Sequence, residues 1–444
     1  MDWIVAFLIV APALILYFKN PSWLIDYLVW VTVLNRGIRR VVDWMAGSFN
    51  AFSPISLTPL VISGLIFLFV IGRYQTFPRY LRHIFHLFAA ALAIGFAVGF
   101  VRNQFAAIYA LAEYMAPLAM MGCAALACGN ERMLDRWIKS VGWAAVAVSI
   151  YGWYQYYTIP PWDAFWVRSV GFEGYLGHLR PTEMTVFSTM SERGVLAGFL
   201  AMAVIPMLVS PRWRNAGGWL CAALILSTIL LTFVRTAIIT IGMAVVLFPI
   251  LNRGKNTLRI VVLLCAAALV GNFVLGRMPG SEKISGRLQT IGSITEDGSF
   301  RGRIAIASYG VTSLMGNPIG NGLGSTGLAG RVNTGEMEAG GAIGDNGYFE
   351  ILLSFGVIGG GIFFYALWLI WKQVRIFEHA GLRSESLMMF KALFVTGAVV
   401  LFAGNWLAGP GSVVFSLFAG FVLFPRAAKT GMGKVVPDSL PPET

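Results

Sequence analysis

The chain has 444 residues, 57% of them hydrophobic and 12% charged, with a formal net charge of +12. Soluble domains carry about a quarter charged residues, so this composition excludes an ordinary soluble globular protein and predicts an all-α polytopic membrane protein. A strong positive excess also suits a nucleic-acid binder, and where the charges fall along the chain decides between the two.

In chain order, apolar windows of about 20 residues predict spans near 3–18, 55–72, 82–101, 105–128, 138–157, 191–209, 217–234, 236–252, 258–276, 346–371, 386–404 and 411–425. A shorter segment, 23–35, is read either as a tilted span or as an interfacial segment, which makes twelve or thirteen in all. Asp2, not a basic run, precedes the first window, so it is read as a retained span and not a cleaved signal. The four cysteines all fall in apolar windows without a C-x-x-C spacing. With no cluster of metal-ligand spacing, neither a metal nor another cofactor is expected.

Lysine and arginine gather in alternate loops: Arg73, Arg79 and Arg82; Arg132, Arg136 and Lys139; Arg212 and Arg214; Arg253, Lys255 and Arg259; Lys372, Arg375 and Arg383. Cytoplasmic loops carry such an excess, which accounts for much of the charge without nucleic acid. Arg36, Arg39 and Arg40 do not fit the alternation. The chain therefore divides into N-terminal spans (1–157), a first outer loop (158–190), spans that include a hairpin around Arg235 (191–276), a large outer loop (277–345), C-terminal spans (346–425) and a disordered cytoplasmic tail (426–444).

Arg235 is the single charge in residues 217–252, a stretch too long for one span and basic at both flanks. Two spans with a tight outer turn place it at the outer interface. There it is either a snorkelling anchor or a functional group whose planar fork suits an oxyanion. The first outer loop, with the start of the next span, mixes aromatics, Trp166 among them, with Arg180, His178 and Glu192. It reads as an anchoring belt or as a sugar-binding surface. The second outer loop carries Arg287, Arg301 and Arg303, and from Arg303 to Met315 apolar residues recur at helical spacing. The "GNPIGNGLGSTG" run that follows is either a turn-rich linker or a place where backbone N–H groups approach a phosphate. "GDNGYFEILLSFGVIGG" then steps from Asp345 and Asn346 into an apolar helix. Asp345 reads as a helix cap or a functional carboxylate. Glu350, one turn inside, reads as a favourable dipole contact, a buried pair or a functional carboxylate, and it shares a helix face with Asn346.

Taken together, "LLTFVRTA", "NPIGNGLG", "GYFEILLSFGVIGG" and "LRPTEMTVFSTMSERGVLAGFL" resemble the O-antigen ligase and Wzy-type polymerase superfamily over roughly residues 178–365. The resemblance implies a membrane glycosyltransferase of GT-C type in the bacterial inner membrane. Its donor is a glycan on a polyprenyl diphosphate, usually undecaprenyl, used at the periplasmic face without a metal. It implies that arginines hold the pyrophosphate leaving group, with Arg235, Arg303 and Arg180 matching by position and Arg287 and Arg301 as further candidates. Where the ligase branch carries histidine this chain has Asp345, which favours a polysaccharide polymerase over a ligase. Asp345, Glu350 and Glu192 are the candidate proton acceptors, and Asn346, Tyr348, His178 and Trp166 the candidate glycan contacts. A chain-length regulator is a further expected partner. The rival from another class is a lipid-linked oligosaccharide flippase. That rival predicts repeats and charges deep in several spans, whereas only Glu113 and Lys391 lie deep here.

Overall fold

The structure is a computed structural model that describes residues 1–50, 52–127, 131–210, 213, 217–234, 236–237, 241–242, 308–327, 330, 346–380, 385–402 and 404–423. Among them no strand forms, and the helices run in the order α1 Asp2–Lys19, α2 Trp23–Ala46, α3 Thr58–Ile71, α4 Arg79–Asn103, α5 Phe105–Leu126, α6 Glu131–Thr158, α7 Pro161–Val170, α8 Glu173–Leu176, α9 Arg193–Val209, α10 Trp219–Leu231, α11 Gly347–His379, α12 Glu385–Val400 and α13 Pro410–Leu423. The protein is an all-α polytopic membrane protein. Five described segments are long and apolar enough to cross a bilayer: α1, Pro54–Ile71, α4, α5 and α11. Most of the window at 236–252, the whole window at 258–276, the tail at 426–444 and most of the large loop lie outside the described residues.

The segment 23–35 is not an isolated short piece. It is the first half of α2, a 24-residue helix about 36 Å long at 1.5 Å per residue. Hydropathy alone cannot find this helix because it carries Asp26, Arg36, Arg39, Arg40 and Asp43. Three ion pairs make four of those charges tolerable: Arg136 Nε–Asp26 Oδ2 at 2.8 Å, Arg39 Nε–Asp43 Oδ2 at 3.3 Å and Arg40 Nη1–Asp163 Oδ1 at 2.8 Å. An isolated charge in such surroundings is costly, whereas a pair with geometry this close is retained.

The same contacts sort the two ends of the bundle. Arg136, at the start of α6, also donates to Ser22 O at 2.8 Å, so the α1–α2 turn lies at the end that carries the basic loops. Asn50 Nδ2 donates to Asp2 Oδ2 at 3.0 Å, which joins the far ends of α1 and α2. Arg36, Arg39 and Arg40 therefore lie toward the end away from the basic loops. They fail the loop alternation because they are not in a loop.

Small residues set the spacing in the middle of the bundle. Gly420 of α13 lies against the Met121 backbone of α5, and Gly95 of α4 lies under the Phe355 ring of α11. Where helices meet in a membrane, van der Waals contact between close backbones does much of the work. Phe355 stacks on Phe363 at 5.4 Å and meets Tyr114 edge-on at 5.1 Å, which locks α5 to α11. Lys391, buried in α12, reaches Glu378 Oε1 at 2.8 Å. By contrast α1 shows Trp3, Phe7 and Phe18 on its outer face, as a lipid-facing helix does.

The glycine-rich run threads between helices. Asn321 N donates to Leu353 O at 2.7 Å, Leu323 N to Gly95 O at 2.8 Å and Val357 N to Pro318 O at 2.9 Å. Gly356 interrupts α11 with φ 71° and ψ 176°, a left-handed conformation open to glycine. The kink frees Leu353 O and Val357 N to serve the loop. Gly322, also at positive φ, lies directly on the Gly99 backbone, where no side chain fits. The stretch 308–316 preceding the loop is helical, with Tyr309, Val311 and Met315 exposed.

Candidate functional site

A cavity of about 670 Å³ opens in the middle of this bundle. Helices from both halves of the chain wall it: α2 and α5 on one side, the start of α9 and the end of the α10 segment on another, and α11 with the α12–α13 connection closing the rest. Its size lies in the range of small-molecule sites, which combine an apolar lining with a few placed polar groups.

Glu350 supplies one of those groups. Asn346 caps α11, its Oδ1 accepting from Tyr348 N at 3.1 Å and Phe349 N at 3.3 Å. Glu350, the fourth residue of the helix, is thereby set into the cavity wall. Its Oε1 accepts a hydrogen bond from Asn405 Nδ2 at 3.1 Å. The same Nδ2 donates to Tyr114 Oη at 2.6 Å, and Asn405 Oδ1 accepts from Leu407 N at 3.1 Å. Both faces of the amide are engaged, so the orientation of Asn405 is fixed by its network. The glycine-rich run ends beside this carboxylate: a Cβ on Gly327 would stand 3.1 Å from Glu350 Oε1. Thr326 Oγ1 and Ser354 Oγ pair at 2.8 Å on the same wall.

Glu192 lines the cavity where the 158–190 loop enters α9. That loop is held down by a buried clasp. Arg40 of α2 pairs with Asp163 of α7 and also donates to Ser188 O. Asp163 Oδ2 accepts from Gln155 Nε2 at 2.6 Å and from Tyr151 Oη at 2.9 Å, and Gln155 Oε1 accepts from Ser188 N at 2.8 Å. The guanidinium lies 4.8 Å from the Phe187 ring centre and 5.7 Å from that of Trp166. Burial pushes the Asp163 carboxyl up from its ordinary value, while the Arg40 charge and the Gln155 and Tyr151 donors work against that shift. The clasp holds the loop so that Phe172 and Tyr175 form part of the cavity lining.

The structure therefore brings Glu350 and Glu192 to one cavity. The candidate glycan contacts lie apart from its lining. Trp166 is buried in the clasp, Tyr348 packs on Phe364 and Phe402 with its hydroxyl on Ala398 O, Asn346 is engaged in its cap, and His178 is exposed in the loop. Arg180 is likewise exposed and outside the lining. Asp345, Arg235, Arg287, Arg301 and Arg303 lie outside the described residues, although Val234 and Thr236, on either side of Arg235, line the cavity. Among the described residues no group of histidine, cysteine and carboxylate side chains is spaced to hold a metal ion.

Sequence reasoning missed Arg36, Glu113, Tyr114 and Asn405 as lining residues. Two of them carried a signal. Glu113 is a carboxylate inside an apolar span, and Arg36 breaks the charge alternation; ionisable groups at such depths line polar interiors by default. Asn405 and Tyr114 carried none.

Residues 220–365 match the family model described as O-antigen ligase. A comparison with curated proteins gives no match. The matched segment contains Glu350 and the glycine-rich run but not the α2 and α5 wall.

Proposed function

We propose, from the match of residues 220–365 to the O-antigen ligase family model, that the protein is a membrane glycosyltransferase of that kind and, within it, a polysaccharide polymerase. In this reading it joins repeat units carried on undecaprenyl pyrophosphate at the periplasmic face of the inner membrane. The observation that carries the reading is the cavity itself. It sets Glu350, held by Asn405, and Glu192 on the walls of one chamber, beside the residues that flank Arg235.

The step is a glycosyl transfer. An acceptor hydroxyl oxygen attacks the anomeric carbon of the lipid-linked sugar, and the bond from that carbon to the diphosphate oxygen breaks. The polyprenyl diphosphate leaves with the electron pair, and the hydroxyl proton passes to a carboxylate. Glu350 is the best-positioned acceptor among the described residues, because Asn405 holds one of its oxygens at a hydrogen-bond distance of 3.1 Å. Arg235, with Arg303, Arg287, Arg301 and Arg180 as further candidates, answers the charge that grows on the diphosphate. Asp345 stands where the ligase branch carries histidine, and this favours polymer extension over transfer to a second kind of acceptor. A chain-length regulator acting alongside belongs to the same proposal.

The test incubates the purified protein in lipid nanodiscs with a lipid-linked repeat unit and resolves the products on a gel. A ladder of increasing length is expected. Transfer of a single preformed chain to a second lipid identifies a ligase instead. Movement of the lipid across a vesicle without any product identifies a transporter and overturns the reading.

A further inference from the structure

Arg36, Tyr109 and Glu113 form a second polar cluster in the same cavity, on the wall built by α2 and α5. The Arg36 charge and the Tyr109 hydroxyl both act on the Glu113 carboxylate, and the Tyr109 hydroxyl interacts with Arg36 as well. Neither Glu113 nor Arg36 serves packing alone, since both side chains face open space in the cavity. Buried Asn35 lines the cavity one residue before Arg36. From the first outer loop, Phe172 and Tyr175 contribute aromatic rings to the lining, their centroids 5.7 Å apart.

We propose that this wall is a saccharide subsite, distinct from the position of the diphosphate, that binds the hydroxyl groups of a glycan. This deepens the polymerase reading and rests on it. The charge balance favours a neutral, hydroxyl-rich ligand over an anion. On this wall the one guanidinium, Arg36, stands beside the one carboxylate, Glu113. The pair leaves no surplus positive charge there for a diphosphate. A sugar hydroxyl both donates and accepts. It can donate a hydrogen bond to Glu113 and accept one from Arg36 or Asn35, so a paired cation and carboxylate become complementary to it. The ring faces of Phe172 and Tyr175 offer the flat apolar surface on which the C–H face of a pyranose packs. The wall also lies outside the segment matched by the family model, so the chain's choice among glycans is assigned to α2 and α5, and bond-making to the part of the cavity that holds Glu350.

The test separates sugar binding from transfer. The probe is the set of water-soluble oligosaccharides released by mild acid from the producing cells' polyprenyl-diphosphate lipids. Saturation-transfer NMR with the full-length protein in nanodiscs reads their binding, with inorganic pyrophosphate as competitor. Wild-type protein is expected to bind the oligosaccharides without displacement by pyrophosphate. Glu113→Gln and Arg36→Met are each expected to weaken binding about tenfold, equivalent to ~1.4 kcal/mol. Tyr109→Phe, which removes one hydroxyl, is expected to weaken it by a smaller factor and keeps the test open if either charge variant fails to fold. Unchanged oligosaccharide binding in the folded variants overturns the subsite, as does displacement by pyrophosphate. No binding by wild-type protein that still makes a ladder on the gel overturns the subsite and leaves the polymerase reading standing. Binding without a ladder supports the subsite and counts against polymerisation alone.

Discussion

Asn405 donates to Glu350 across the cavity wall at 3.1 Å, joining two residues 55 positions apart in the chain. Because Asn405 also engages Tyr114 and Leu407, its amide cannot follow Glu350 if that side chain moves; Glu350 is held by a fixed point. Losing this donor leaves one oxygen of a buried carboxylate without that partner, a change worth about 1–3 kcal/mol. Asn405→Ala is expected to lower turnover roughly 10- to 100-fold at saturating lipid-linked donor, with little change in KM. A change confined to KM would assign Asn405 to substrate binding and not to the positioning of Glu350.

Arg40 and Asp163 are both buried and pair at 2.8 Å, so each compensates the other's charge. Removing one partner of such a pair costs about 3–5 kcal/mol, because the remaining charge stays in the interior uncompensated. Asp163→Ala and Arg40→Ala are each expected to lower thermal stability sharply in detergent. Replacing the pair with methionine at both positions is expected to recover much of the loss, since an apolar pair leaves no orphaned charge. If the single variants melt with wild-type protein, the clasp does not hold the 158–190 loop to α2.

Gly322 lies on the Gly99 backbone at positive φ, and a side chain at either position has no room. Gly322→Val and Gly99→Val are each expected to destabilise the fold by roughly 1–3 kcal/mol through overpacking and strain. They should also loosen the glycine-rich loop where it meets Glu350. Limited proteolysis reads that loosening as faster cleavage within 317–327, and an unchanged digestion pattern would contradict the close contact.

The all-α class, the apolar windows at α1, α4, α5 and α11, and the carboxylate one turn into α11 were legible because apolar run length and helix-start chemistry are local signals. The full extent of α2 was not. Its charges lower its hydropathy, and their partners, Arg136 and Asp163, come from α6 and α7, so the feature that makes the helix stable is tertiary. The glycine-rich run was legible as glycine-rich, and both a linker and a phosphate cradle fitted it. Its contacts with Gly95, Gly99 and Leu353 show where its backbone groups go, and no local pattern encodes them. Asn405 sits in "AGNWLAGP", which carries no sign that its amide reaches back to α5 and α11.

The most direct test of the central claim is the rate of product formation by Glu350→Gln in nanodiscs with a lipid-linked repeat unit. The substitution keeps the side chain's size and a hydrogen-bonding oxygen for Asn405, but it removes the proton-accepting carboxylate. A fall of roughly 10²- to 10⁴-fold in the rate of ladder formation, with the protein folded and oligosaccharide binding retained, is the predicted result. A ladder formed at the wild-type rate would contradict the assignment of this cavity's carboxylate to the transfer step.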